Sequence, residues 1–126
     1  VAEVLKALSE KGIRLAVATS KPEQHAAEII EYLGFADFFE TVGGDTLDGS
    51  RGSKALVVGE VLNRIGNPDP DSVLMVGDRS HDVLGAAAHG VQCIGVLWGY
   101  GSATELSTSG ALRLCEHPDQ LLAEIG

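Results

Sequence analysis

Val73-Leu74-Met75-Val76-Gly77-Asp78-Arg79-Ser80-His81-Asp82 is the stretch whose reading decides the fold. Residues 73–76 are uninterruptedly apolar, too short for a core helix and without the polar alternation of a half-exposed strand, so they read as a buried parallel strand. The turn Pro68-Asp69-Pro70-Asp71 delivers the chain into it, and Gly77-Asp78 ends it. Asp82 then stands near the start of an alanine-rich helix reaching His89-Gly90, whose small side chains allow close packing on a sheet.

Working outward, residues 91–97 predict the next strand, residues 112–115 a short last one and residues 118–125 a closing helix. Upstream, Val1, Val4, Leu5 and Leu8 recur on one helical face, and Lys11-Gly12 stops that helix. Leu15-Ala16-Val17-Ala18 within residues 14–19 predicts a second buried strand, followed by a turn at Ser20-Lys21-Pro22. Pro22 and the stripe Ala26, Ile29, Ile30, Leu33 mark a helix ending at Gly34. Phe35, Phe38 and Phe39 read as core anchors, and Thr41-Val42 as a short strand before Gly43-Gly44. Residues 45–52 form a polar, glycine-rich loop, after which Lys54 opens a helix with Val57, Val61 and Ile65 on its inner face. Alternating helices and strands with crossover-length connections predict an α/β protein with a mainly parallel sheet, as one compact unit without an internal linker.

Composition narrows the function classes. The 126 residues are 44% hydrophobic and 21% charged, as in a globular protein. Nine basic against eighteen acidic residues leave a formal charge of -9, which argues against nucleic acid or an anionic membrane as partner. A phosphorylated small molecule stays compatible, because a few donors in a cleft hold an anion against a distant surface field. Cys93 and Cys115 lie in no CxxC pattern and read as buried thiols. No apolar run of membrane-spanning length and no leader-like stretch is present, and a cytoplasmic location is expected.

Three positions stand where an open α/β sheet gathers its ligand, at the carboxyl ends of strands or beside them: Thr19, Lys54 and Asp78. A threonine hydroxyl donates to a phosphoryl oxygen, a lysine ammonium offsets charge developing in transfer, and an aspartate is the hard oxygen ligand that Mg2+ prefers. Asp82, four positions on, sits where the helix dipole favours a carboxylate and can orient a metal-bound water or Lys54. Each also has a plain structural account: a turn threonine, a solvent-facing lysine, an aspartate in a Gly-Asp turn.

Ala18-Thr19-Ser20-Lys21-Pro22, the Lys54 region and residues 73–90 (VLMVGDRSHDVLGAAAHG) resemble, in that order, the second, third and fourth motifs of haloacid dehalogenase-like hydrolases. The fourth has its phosphoglycolate phosphatase-like form, and residues 95–106 (GVLWGYGSATEL) are similar to the segment just after that motif in those enzymes. The resemblance implies a three-layer Rossmann-like core and a Mg2+-dependent phosphatase of small phosphate monoesters, 2-phosphoglycolate among them, working through a phosphoaspartyl intermediate. It makes Lys54, Asp78 and Asp82 the catalytic candidates, Thr19, Ser20 and Lys54 the substrate-binding ones, and Asp78 the metal ligand.

The paired aspartates of the family's first motif, DxDxT, are missing; Gly44-Asp45-Thr46-Leu47 has neither the pair nor an apolar strand before it. The expectation is therefore a partial core over residues 1–126, with the nucleophile strand and a helical cap, about 80 to 90 residues, lying upstream. Without that central strand the sheet would lack ladder partners, so an upstream segment or a second chain is expected to complete it, and the isolated chain to be inactive. Competing readings are a sugar-phosphate mutase of the same superfamily and a non-catalytic phosphate- or protein-binding remnant. Gly99-Tyr100-Gly101 lacks the third glycine of a dinucleotide site, the four histidines show no metal spacing, and His81 reads as a solvent-facing loop residue.

Overall fold

Among residues 2–46 and 53–125, which the computed structural model describes, helices and strands alternate as expected, but the chain divides after Asn67 into two units, residues 1–67 and 68–126. The expectation of one undivided unit gives way. No linker marks the division in the sequence because it falls in a tight turn, where Gly66 and Asn67 both take positive φ, 92° and 49°.

In the first unit, α1 (Ala2–Glu10) buries Val4 and Leu8 and stops at Gly12, whose φ of 80° suits a residue without a Cβ. β1 (Ala16–Pro22) pairs in parallel with β2 (Thr41–Asp45), Ala16 opposite Thr41 and Ala18 opposite Gly43. The register then becomes irregular between Ala18 and Pro22, so Ser20-Lys21-Pro22 is a distorted strand end rather than the turn expected. α2 (Glu23–Tyr32) links the two strands, with Pro22 as its N-cap; it buries only Ala26, and Ile29 and Leu33 of the expected stripe are exposed. The phenylalanines are not core residues either: Phe35 and Phe38 meet at 6.3 Å between ring centroids, and none of the three is fully buried. Both glycines after Thr41-Val42 lie inside β2 and are buried. A Cβ on Gly44 would sit 2.5 Å from the Lys21 carbonyl oxygen, so the close approach of β1 requires glycine there. α3 (Lys54–Arg64), capped by Ser53 Oγ accepting from Leu56 N at 3.2 Å, packs Val57, Val58 and Val61 inward, and Ile65 is only half-buried. Residues 47–52 of the expected glycine-rich loop lie outside the described residues.

The second unit is a three-stranded parallel sheet in the order β3-β4-β5, formed by β3 (Leu74–Gly77), β4 (Gln92–Val96) and β5 (Arg113–Cys115). α4 (Ser80–Ala87) connects the first pair, α5 (Ala103–Ser109) the second, and α6 (Asp119–Ile125) comes last. α5 is missing from the sequence reading, although Ser102-Ala103-Thr104-Glu105 has the spacing of a helix start and Gly110, at φ 101°, that of a helix stop. Ser102 Oγ accepts from Glu105 N at 3.0 Å.

Burial corrects the reading of the apolar runs. β4, with a neighbour on each side, is buried from Cys93 to Val96, whereas β1 and β3 are parallel as expected but not buried throughout: Ala16 and Val76 are exposed. Each is an edge strand of its own sheet among the described residues, so one side lacks the neighbour that would cover it. Cys93 and Cys115 are both buried reduced thiols, as expected.

Candidate active site

In the first unit the candidates lie at two places, the irregular end of β1 and the start of α3. Thr19 lies within β1 rather than beyond it, half-buried, and its Oγ1 accepts from Lys21 N at 3.2 Å. That contact uses a lone pair and leaves the hydroxyl proton to donate elsewhere. Ser20 is exposed beside it. Lys54 is the first residue of α3 and half-buried. The helix dipole disfavours a cation at that end by about 0.3 to 1 kcal/mol, so helix stability does not account for a lysine there.

Supporting this end, Glu23 Oε1 accepts from Gly44 N at 3.2 Å and from Arg64 Nη2 at 2.6 Å. The same guanidinium reaches Glu60 Oε1 at 3.2 Å and the Val42 carbonyl at 3.0 Å, tying α2, α3 and β2 together. Burial works against the charged form of Arg64, and the bonds to Glu23 and Glu60 overcome it, raising its pKa above the ordinary value.

In the second unit Asp78 stands directly after β3, and the fold brings Asp82 to it. Asp82, 4% exposed, accepts from Asp78 N at 3.0 Å and from Arg79 N at 3.1 Å through one oxygen, Oδ2. It therefore shapes the loop that carries Asp78, a use of its carboxylate that the sequence reading did not foresee. Gly77 is required by this arrangement, since a Cβ there would lie 2.6 Å from the Asp82 carboxyl carbon. Asp78 Oδ2 in turn accepts from Tyr100 N at 2.9 Å.

Glu105 is the residue that sequence reasoning missed. Its Oε2 accepts from Ser80 N at 2.7 Å and from Arg79 Nε at 3.0 Å. The Ser80 amide, and then the Arg79 guanidinium, hold its carboxyl below the usual glutamate range, and the same pairing raises the pKa of Arg79. The helix-start spacing Ser102 to Glu105 was the signal available for it. His81 is exposed, as expected, but it lies in the first turn of α4 rather than in a loop.

Among the described residues no group of three His, Cys, Asp or Glu side chains is placed to hold a metal ion. Mg2+ is nonetheless commonly held by one or two carboxylates, with water and substrate phosphate filling the other positions, and Asp78 meets that lesser demand. With Oδ2 engaged by Tyr100 N, its Oδ1 remains as the hard donor. No helix among the described residues is long and apolar enough to cross a membrane.

Residues 1–90 match the sequence profile of the hydrolase family described as haloacid dehalogenase-like hydrolase. The tyrosine-protein kinase PtkA of Mycobacterium tuberculosis is 48% identical over 103 residues, 82% of this chain and 35% of that protein. A 5'-nucleotidase of Pseudomonas aeruginosa is 41% identical over 91% of this chain and 52% of its own length. A phosphoglycolate phosphatase of Neisseria meningitidis is 38% identical over 96% of this chain and 49% of its own. The crystal structure of a predicted phosphatase from Clostridium acetobutylicum superposes with a TM-score of 0.95 at 35% identity, covering 98% of this chain and 57% of that one. The chain thus spans about half, or less, of the curated relatives it matches.

Proposed function

Because this chain belongs to the haloacid dehalogenase-like hydrolases, we propose that the whole protein is a Mg2+-dependent, cytoplasmic phosphatase of small phosphate monoesters. The observation that carries the reading is the Asp78 loop: a carboxylate at the carboxyl end of a parallel strand, its backbone gathered by Asp82 and one oxygen fixed by Tyr100 N. A carboxylate held this way keeps its geometry while charge redistributes, which is the condition for electrostatic catalysis.

In this reading Thr19 donates its hydroxyl proton to a phosphoryl oxygen, with Ser20 beside it, and the Lys54 ammonium offsets charge on the transferring group. Asp78 would hold Mg2+, and the ion, when bound, supplies Lewis-acid polarisation of the phosphoryl group. Asp82 acts through the loop it orders. The attacking carboxylate and the acid that protonates the leaving group have no assigned residue among these 126; a DxDxT-type segment elsewhere in the whole protein would supply both, by way of a phosphoaspartyl intermediate. The substrate is a small phosphorylated metabolite, and the relatives' names offer two classes, 2-phosphoglycolate and nucleoside monophosphates.

The test is phosphate release by the whole protein across a panel of both classes, with and without Mg2+. Turnover should require Mg2+ and fall at least about a hundredfold in Asp78→Ala; a folded variant with wild-type kcat at saturating Mg2+ removes Asp78 from the role. A second reading comes from the identity shared with a protein named a tyrosine kinase: transfer of the phosphoryl group to an acceptor other than water. Recovery of labelled phosphate on a protein hydroxyl, in place of free phosphate, would favour it, and sugar isomerisation without net release would favour a mutase.

A further inference from the structure

The segment after β4 folds back on the loop after β3, and three separate features of it converge there. Tyr100 N donates to Asp78 Oδ2 at 2.9 Å. Gly99 and Gly101 leave no room for a side chain: a Cβ on Gly99 would stand 2.7 Å from the Asp78 carboxyl carbon, and one on Gly101 would collide with the Asp78 carbonyl oxygen. Glu105, set in the first turn of α5 by the Ser102 cap, receives Ser80 N and Arg79 Nε on a single oxygen.

From this we infer that Glu105 is a positioning residue for Asp78, holding the loop and offsetting the Arg79 charge so that Asp78 can take a divalent cation; the inference rests on the phosphatase reading above. The electrostatic part comes from the order of the chain. Arg79 is the next residue after Asp78, and an uncompensated guanidinium there would compete for the carboxylate that a cation needs. Glu105 draws it aside at 3.0 Å, and the ion pair also restrains the backbone from which Asp78 projects. Removal of a group that orients a metal ligand typically weakens metal binding by about 10- to 100-fold.

The experiment tracks backbone amide NMR shifts of the whole protein during titration with MgCl2, which reads cation binding without turnover. Glu105→Ala should weaken Mg2+ binding by about tenfold or more, and speed hydrogen exchange at the Ser80 amide. Glu105→Gln keeps an oxygen for Ser80 N but uncovers the Arg79 charge, so it should weaken binding by a smaller factor. Arg79→Gln combined with Glu105→Gln removes both charges and should recover part of that loss, which a purely structural role would not produce. If Glu105→Ala does not fold, Glu105→Gln and the double variant decide. Wild-type affinity in folded Glu105→Ala or Glu105→Gln overturns the inference while leaving the phosphatase reading intact. Absence of any Mg2+ response in the unsubstituted protein overturns both.

Discussion

Asp78 follows the last residue of β3 and Thr19 follows the last regularly paired residue of β1, yet the two units hold them differently. Among the described residues the Thr19 side chain makes one hydrogen bond, from Lys21 N two residues on, and its strand loses regular register at that point. Asp78 sits in a loop whose amides are gathered by Asp82 and Glu105, from two helices, and its own carboxylate is bonded by a third segment. The difference matches the proposed duties. A group that meets a diffusing phosphate can adjust on contact, whereas a metal ligand has to be in place beforehand. Substitutions in the first unit should therefore act on chemistry more than on folding, and those around Asp78 on both.

Lys54→Met is the sharpest probe of that contrast. It keeps much of the aliphatic stem and deletes the ammonium, and should cost about 2 to 4 kcal/mol in transition-state stabilisation, read as kcat/KM of the whole protein. Urea unfolding should show a far smaller change. A stability loss as large as the catalytic one would break the comparison by making Lys54 architectural.

Asp82→Ala comes next. It leaves the Asp78 and Arg79 amides without their acceptor and opens space at a residue 4% exposed, so unfolding free energy should fall by about 2 to 3 kcal/mol together with activity. Loss of activity with unchanged unfolding would mean that the loop keeps its form without Asp82. Gly110→Ala, at φ 101°, is a control in the same unit but away from Asp78: about 1 kcal/mol of destabilisation is expected, with Mg2+ affinity unaltered.

The smallest effect lies in the first unit. Arg14 grips Glu40 through two hydrogen bonds, Nε to Oε2 at 2.8 Å and Nη2 to Oε1 at 2.6 Å, and this lowers the Glu40 pKa. A lowered carboxyl pKa contributes stability that is present above the ordinary glutamate value and is lost as pH falls through the folded-state value. The difference between Glu40→Gln and the unsubstituted protein should accordingly be visible at neutral pH and shrink as the pH falls below the ordinary glutamate value, in paired urea curves. Both side chains are exposed, so salt should shrink it too. A difference that grows on acidification would contradict the assignment.

The sequence made the order of elements readable because these strands are announced by their own side chains: residues 73–76 and, within 14–19, residues 15–18 are apolar runs, and β3 and β1 lie there, their ends shifted by a few residues. Burial was not readable in the same way. An apolar run states what a strand would accept on both faces, but whether Ala16 or Val76 is covered depends on neighbours that lie far off in the chain. The division after Asn67 escaped for a related reason: a positive-φ turn separates units as well as a linker does and leaves no compositional mark. Among the site candidates, Asp78 was singled out through its place after a strand and its motif. Glu105 was hidden because its partners, Arg79 and Ser80, are 26 and 25 residues away. The role of Asp82 was half seen, its helix-start position being local, while its two amide partners only appear once the loop is folded.

The buried thiols give the second unit a clock of its own. Both cysteines of the chain lie there, Cys93 on the central strand and Cys115 on its neighbour, each 2% exposed. Burial also pushes the Cys115 pKa up, so the reactive thiolate is scarce near neutral pH even when a reagent arrives. Alkylation must then wait for the three-stranded sheet to open, and its rate counts those openings one unit at a time. The first unit, having no cysteine, stays silent to the reagent, and a change in labelling on adding Mg2+ or a phosphate ester would report how a ligand steadies the strands behind Asp78.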